Sequence, residues 1–387
     1  THSGFWLSGM SARHEHPKEK ASWPGRLRRT GINVTAGGAL PPAARRGAIY
    51  GLLAAALFGL STPVAKRILA EVTPQVLAGL LYLGAGVSLA GYRWLRPSTQ
   101  ETPIRRSDAP SLLGVIVLGG VLGPVLMLVG LSRVAAVTGS LLLNLEAPFT
   151  ILVAALVFRE HLGRHAAIAS VFVVAGAATL RLEPGLGTAD PIGMLCIAGA
   201  CLCWALDNNL TQRLTLRDPV AIVRLKALGA GTFNLLLGLA LGGRVPSVLG
   251  VVVALALGSF SYGVSVVLDA YALRLVGAAR EAAFFASAPF VGALASTFIV
   301  GERLQWVDVA AMALMALGIG LLLRERHGHR HEHEEMPHDH LHEHDEHHQH
   351  EHGPSDPPGE SHAHPHRHTQ LVHDHPHVPD VHHRHGH

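Results

Sequence analysis

The sequence predicts an all-α integral membrane protein: ten membrane-spanning helices, arranged as two inverted five-helix repeats, between disordered tails. Three observations carry this prediction. Residues 47–324 are an almost unbroken series of apolar segments, whereas 1–46 and 327–387 are polar, Pro-rich or His-rich. A short pattern in the apolar region recurs about 141 residues further on. Lysine and arginine also gather in alternate loops.

The 387-residue chain is 49% hydrophobic, a bulk value that averages these unlike regions. A bilayer core is crossed by about 20 apolar residues in helical form. Ten segments meet that requirement, at about 47–69, 73–95, 110–131, 134–157, 164–182, 191–212, 219–243, 247–271, 277–300 and 306–324. Soluble proteins rarely repeat buried helices of this length across such short loops. The apolar runs are continuous rather than alternating, which excludes a membrane β-barrel. Residues 1–46 carry Arg26, Arg28, Arg29, Arg45 and Arg46 but lack the apolar stretch of a cleaved signal peptide, and read as a disordered basic tail. Cys196, Cys201 and Cys203 share the sixth segment, where free thiols act as small apolar residues; no disulfide framework follows.

The duplication is clearest at two sites. Glu146-Ala-Pro148-Phe149 is followed by an apolar run and then Glu160-x-Leu162; Ser287-Ala-Pro289-Phe290 is followed by another run and then Glu302-x-Leu304. Downstream, Gly176 corresponds to Gly318 and Leu180 to Leu322. A weaker correspondence sets Leu57-Phe58-Gly59-Leu60 against Cys203-Trp204-Ala205-Leu206, and Thr73-Pro74 against Asp218-Pro219. The repeat therefore extends over 47–182 and 190–324, a design frequent in carriers.

Cations settle the expected orientation. The amino-terminal tail, loop 96–109, loop 158–164, loop 213–218 and the Arg324/Arg326 exit are richer in arginine than the intervening loops, and the richer side faces the cytoplasm. Ten helices then put both termini in the cytoplasm. Because each half has five, equivalent segments are oppositely oriented, with Glu160 on the cytoplasmic side and Glu302 outside.

With its two Ala-Pro-Phe sites, the Glu-x-Leu that follows each, and the glycine-bearing helix closing each half, the chain resembles the EamA-like carriers of the drug/metabolite transporter superfamily. The resemblance covers about 47–324. It implies a ten-helix bundle of two inverted domains around a central cavity. Members of that group export amino acids, metabolites or drugs, or import metabolites, so substrate identity does not transfer.

Ionisable groups inside membrane helices are costly and mark functional candidates. Glu146 lies mid-helix beside Pro148, which removes a backbone donor. Its counterpart is Ser287, so the fold does not require the charge; a proton or cation site lining the cavity is expected, with a hydrogen bond from a protonated Glu146 between helices as the alternative. Trp204, Asp207 and Asn208 fall on roughly one helix face and offer hydrogen bonds with an aromatic wall, or polar contacts between helices. Asn144, Arg224, Tyr262 and Asp269 complete the expected solute path. Arg224 and Lys226 are expected to reach the cytoplasmic interface, with an Arg224–Asp207 pair or a substrate carboxylate as the alternative. Arg280 and Glu281 are positioned to neutralise one another. Pro148, Pro289, Glu160 and Glu302 read as structural, each carboxylate accepting hydrogen bonds from the amino terminus of the next helix.

Residues 327–387 hold 23 of the 28 histidines. His329, His331, His333, His338, His340, His342 and His344 supply imidazoles for zinc, nickel, cobalt or copper without fixing one tetrahedral site. With almost no apolar residues, the segment is expected to be disordered without metal.

The function expected is secondary transport in a bacterial-type inner membrane: export of a small metabolite or drug-like solute by alternating access, with a metal-binding tail. The alternative is export of divalent nickel, cobalt or zinc collected by that tail. No phosphate loop for ATP exists in the sequence, no paired nucleophile suggests an enzyme, and no nucleic-acid partner is expected; a homodimer is left open.

Overall fold

The computed structural model describes residues 42–96, 102–157, 163–182, 190–211, 214, 217–276 and 278–322, and four tail spans given below. Glu160, His344 and the amino-terminal tail through residue 41 lie outside the described residues.

The helices are α1 (Pro42–Gly59), α2 (Ser61–Ile68), α3 (Pro74–Leu95), α4 (Ala109–Val115), α5 (Gly123–Arg133), α6 (Ala136–Leu142), α7 (Glu146–Val157), α8 (Arg164–Thr179), α9 (Pro191–Thr211), α10 (Pro219–Ala240), α11 (Val248–Gly258), α12 (Ser265–Val276), α13 (Ala278–Phe285), α14 (Ala288–Ile299) and α15 (Trp306–Leu322). Merged across short irregularities, eight stretches among the described residues are long and apolar enough to cross a membrane: Arg45–Ile68, Pro74–Leu95, Arg106–Arg133, Ala136–Val157, Arg164–Leu182, Pro191–Thr211, Pro219–Ala240 and Val248–Ala272. Two shorter apolar helices, Ala288–Ile299 and Trp306–Leu322, follow. The ninth predicted span is thus divided: a turn at Ala286 and Ser287 separates α13 from α14 just before Pro289. Proline offers no N–H, and its ring crowds the carbonyl four residues back.

The same irregularities recur in both halves. Residues Leu143–Leu145 form a 3₁₀ turn between α6 and α7, again just ahead of an Ala-Pro-Phe site. A π-helical segment, Ile116–Leu122, joins α4 to α5, and a second, Ser259–Val264, joins α11 to α12. Packing also exchanges between halves: α1 packs on α12 as α9 packs on α5, while α3 packs on α10 and α8 on α15.

Glycines set the closest of these approaches. A Cβ at Gly86 would meet the backbone N of Leu228 at 2.9 Å, and one at Gly231 would meet that of Leu83 at 2.6 Å. Further along, Gly79 faces Leu235 and Gly238 faces Val76. Ascending positions on α3 therefore meet descending positions on α10, and the two helices run antiparallel. On the other pair, Gly176 lies against Ala311 and Met315, and Gly318 lies against Ala169 and Val173. These two helices are antiparallel as well. Small residues let backbones approach where lipid gives no hydrophobic incentive to associate.

In the tail, β1 (His327–His333) pairs antiparallel with β4 (Leu371–His377), and β2 (Pro337–His342) with β3 (His362–Arg367). The sequence predicts no regular structure there, but its His-x-His alternation has the two-residue period of an extended backbone. His329, His331 and His333 lie on β1, and His338, His340 and His342 on β2.

Candidate functional site

The polar centre of the bundle is assembled on the first π-helical segment. A π turn departs from the regular i→i+4 ladder, so carbonyls there are open to side-chain donors. The Gly119 carbonyl accepts from Tyr82 Oη at 2.7 Å and from Trp204 Nε1 at 3.2 Å. The Gly120 carbonyl accepts from Asn234 Nδ2 at 3.2 Å, and Asn234 Oδ1 accepts from Gln75 Nε2 at 2.8 Å. Gly119 must be glycine for this approach, since a Cβ would overlap the Asp207 carboxylate.

Asp207 is 4% exposed and forms an ion pair with Lys226 of α10. It also accepts from Thr211 Oγ1 at 3.4 Å, one turn along α9. Trp204, Asp207 and Thr211 thus share the helix face turned to the π segment. Asn208 points elsewhere: its Nδ2 donates to Glu146 Oε1 at 2.7 Å. Glu146 is the first residue of α7, immediately after the 3₁₀ turn, and is half-buried. The predicted Trp204–Asp207–Asn208 face is therefore divided between two tasks, and the cation beside Asp207 is Lys226 rather than Arg224. Two positions further along α10, an ammonium rather than a guanidinium meets the carboxylate, so Lys226 does not simply reach the interface.

Aromatic rings border this centre. Tyr82 and Tyr262 lie 5.4 Å apart between centroids, Tyr262 and Phe58 5.8 Å at 64°, and Phe58 and Phe285 5.4 Å. Tyr262 belongs to the second π segment, which brings the two irregular stretches together. Asp269 sits beside Glu281 of α13. Glu281 thus has Asp269 as a neighbour, and the side chain of Arg280, which the sequence suggested as its partner, lies outside the described residues. Such a set of carboxylates, one ammonium, amides and aromatic faces can bind a small polar or charged solute by hydrogen bonds, ion pairing and ring contact.

Asn144 is placed apart from it. Its amide donates to the Leu141 carbonyl at 3.1 Å and to Met315 Sδ at 3.5 Å, which ties α6 to α15. Cys201 is buried with Sγ near the Leu142 carbonyl at 3.6 Å. Among the described residues, no group of three or more His, Cys, Asp or Glu is arranged to hold a metal. Sequence reasoning missed Tyr82, Gln75 and Asn234; a tyrosine and two amides inside otherwise apolar helices were the available signal.

One end of the bundle is bound by charges on helix termini. Lys66 Nζ donates to the carbonyls of Leu131 at 2.6 Å and Val134 at 2.7 Å, at the end of α5. Arg67 Nε donates to the Ile299 carbonyl at 2.6 Å, at the end of α14. Glu302 accepts from the amides of Ala136 at 2.7 Å and Val137 at 2.8 Å, at the start of α6. Each charge complements a helix dipole. Gly301, with φ +85°, turns the chain so that Glu302 reaches that terminus. Glu302 therefore caps α6, in the opposite half of the chain, rather than the next helix that the sequence suggested. At the other end, Arg217 Nε donates to Asp108 Oδ2 at 2.7 Å, and Arg93 pairs with Asp218.

The profile of the family described as the EamA-like transporter family matches residues 45–182 and 191–324. The chain is 30% identical over 268 residues to a protein of Methanothermobacter thermautotrophicus (strain Delta H) described as an uncharacterized transporter, covering 65% of this chain and 78% of that one. It is also similar in fold to a protein of known crystal structure, with a TM-score of 0.56 and 17% identity, over 72% of this chain and 98% of that one.

Proposed function

Because the chain belongs to the EamA-like transporter family, we propose that it is a secondary carrier that exports a small polar or charged solute from the cytoplasm by alternating access. It is a multi-pass membrane transporter rather than an enzyme. The observation that carries the proposal is the meeting of Asp207–Lys226 and the Tyr82–Tyr262 rings at two π segments, with the Glu146–Asn208 pair made by the next residue of α9. Buried charges in lipid are costly, and a solute path is their usual reason.

In this reading, α13 with α14 and then α15 complete ten spans in a bacterial-type inner membrane, with both termini cytoplasmic. The antiparallel mating of α3 with α10 and of α8 with α15 supports a two-fold axis in the membrane plane. The Lys66, Arg67 and Glu302 contacts close the outer end, while the centre communicates with the cytoplasm. Glu146 is the coupling site for a proton or cation, and the histidine tail binds divalent metal as an accessory.

The test is the metabolite profile of the medium around cells producing the wild-type chain or the Asp207→Asn variant at equal membrane levels. At least one small solute accumulates outside the wild-type cells and falls to the vector level with the variant. Identical profiles for wild type and empty vector would overturn the export reading.

A further inference from the structure

Away from the centre, the arginine-rich end of the bundle contains a cavity of about 280 Å³ between the end of α3 and the start of α10. Arg93, Asp218 and Arg224 supply its polar lining, and Pro103, Ile104 and Leu225 its apolar walls. Most of the hydrogen-bonding capacity of Asp218 is already committed. Its Oδ1 accepts from the amides of Val220 at 3.0 Å and Ala221 at 3.2 Å, and its other oxygen holds Arg93. Asp218 is 3% exposed, and it neutralises Arg93 inside the wall.

Arg224 is a second cation. It is half-buried at the cavity, and among the described residues it forms neither a hydrogen bond nor an ion pair. A guanidinium presents five donors and accepts nothing, in a planar fork that matches the oxygens of phosphate. Apolar walls lower the local dielectric, which strengthens attraction to an anion. The frame is also held firmly. Asp218 N donates to the Thr102 carbonyl at 3.0 Å, and Ile104 packs with Leu112 and Leu210 on the buried cluster of Val115, Leu214 and Ile222.

We infer that this cavity is a binding site for a phosphate-bearing anion, with Arg224 as its principal ligand. Two sources offer that chemistry. Leu225, Trp94 and Leu95 are exposed beside the cavity, so an anionic lipid could seat its headgroup there with its chains along α3 and α10. A soluble phosphate ester would present the same group from the aqueous side. The lining of this cavity includes none of Glu146, Asn208, Asp207 and Lys226, and the test below reads binding rather than export, so failure of one reading leaves the other standing.

The test uses the full chain in nanodiscs and reads its unfolding temperature. One arm compares phosphatidylcholine with phosphatidylcholine containing increasing phosphatidylglycerol; the other adds glycerol phosphate to pure phosphatidylcholine discs. The wild type should show a saturable rise in one arm, which identifies the source. Arg224→Gln should weaken the apparent affinity about tenfold or more, as expected for loss of a charge-assisted fork. Ala221→Trp, which fills the cavity without removing a charge, should abolish the rise and serves if Arg224→Gln fails to fold. No rise for the wild type in either arm, or an equal rise for the wild type and the folded variants, would overturn the inference.

Discussion

Separating Asp207 from Lys226 should be among the most costly single changes in the bundle, and the two partners should not cost the same. The Asp207 side chain is 5% exposed and that of Lys226 is 19%. Lys226→Met leaves a carboxylate against the Gly119 backbone, with the Thr211 hydroxyl at 3.4 Å as its one remaining hydrogen-bond partner among the described residues. Breaking a buried pair from one side costs about 3–5 kcal/mol, and this variant belongs near the top, at about 4–5 kcal/mol. Asp207→Asn leaves an amide oxygen for the ammonium, whose long stem can tilt toward water; about 2–3 kcal/mol is expected. The double variant Asp207→Asn/Lys226→Met removes both charges and should lie within about 1 kcal/mol of wild type. Thermal unfolding in detergent, across the four proteins, gives the coupling directly. The double variant should remain inactive in export, because its stability is recovered and its charges are not. Additive losses would refute the pairing; recovered export in the double variant would refute its role in transport.

Three further outcomes follow from the geometry. Glu302→Ala removes two charge-assisted bonds from the start of α6 and should cost about 2–3 kcal/mol, with Glu302→Gln intermediate; unfolding temperatures and the labelling of residues near Ala136 by an impermeant reagent check this, and an unchanged profile counts against the cap. Gly231→Val forces a side chain onto the Leu83 and Tyr82 backbone and should cost about 3 kcal/mol, whereas Gly320→Ala, with open space around it, should be neutral; equal effects would contradict the close crossing. A chain ending at Arg326 should lose zinc and nickel binding, measured by titration calorimetry, and keep its unfolding temperature and solute export; loss of export would assign the tail a direct part in transport.

Much of the bundle was legible because lipid imposes a length and a composition on each span. The duplication was legible for a related reason: Pro148 and Pro289 mark backbone breaks that side-chain chemistry cannot conceal. The π segments were not legible, since Ile116–Leu122 and Ser259–Val264 read as ordinary apolar helix and their register depends on what packs against them. At the site, Glu146, Trp204, Asp207 and Tyr262 stood out as polar or aromatic residues inside apolar runs. Their partners did not. Spacing along α10 brings Lys226, two positions beyond Arg224, to Asp207, and only the α9–α10 geometry decides between them. Glu302 looked like a local cap, and the cross-half contact with Ala136 could not follow from a separation of 166 residues.

Counterflow in proteoliposomes of the purified chain, using the labelled solute found in the medium, tests the transport account most directly. The account predicts saturable exchange that Glu146→Gln or Asp207→Asn lowers at least tenfold, about 1.4 kcal/mol or more of lost stabilisation, while the folded yield is retained. Exchange by wild type no faster than through empty liposomes, or undiminished in both variants, would contradict it.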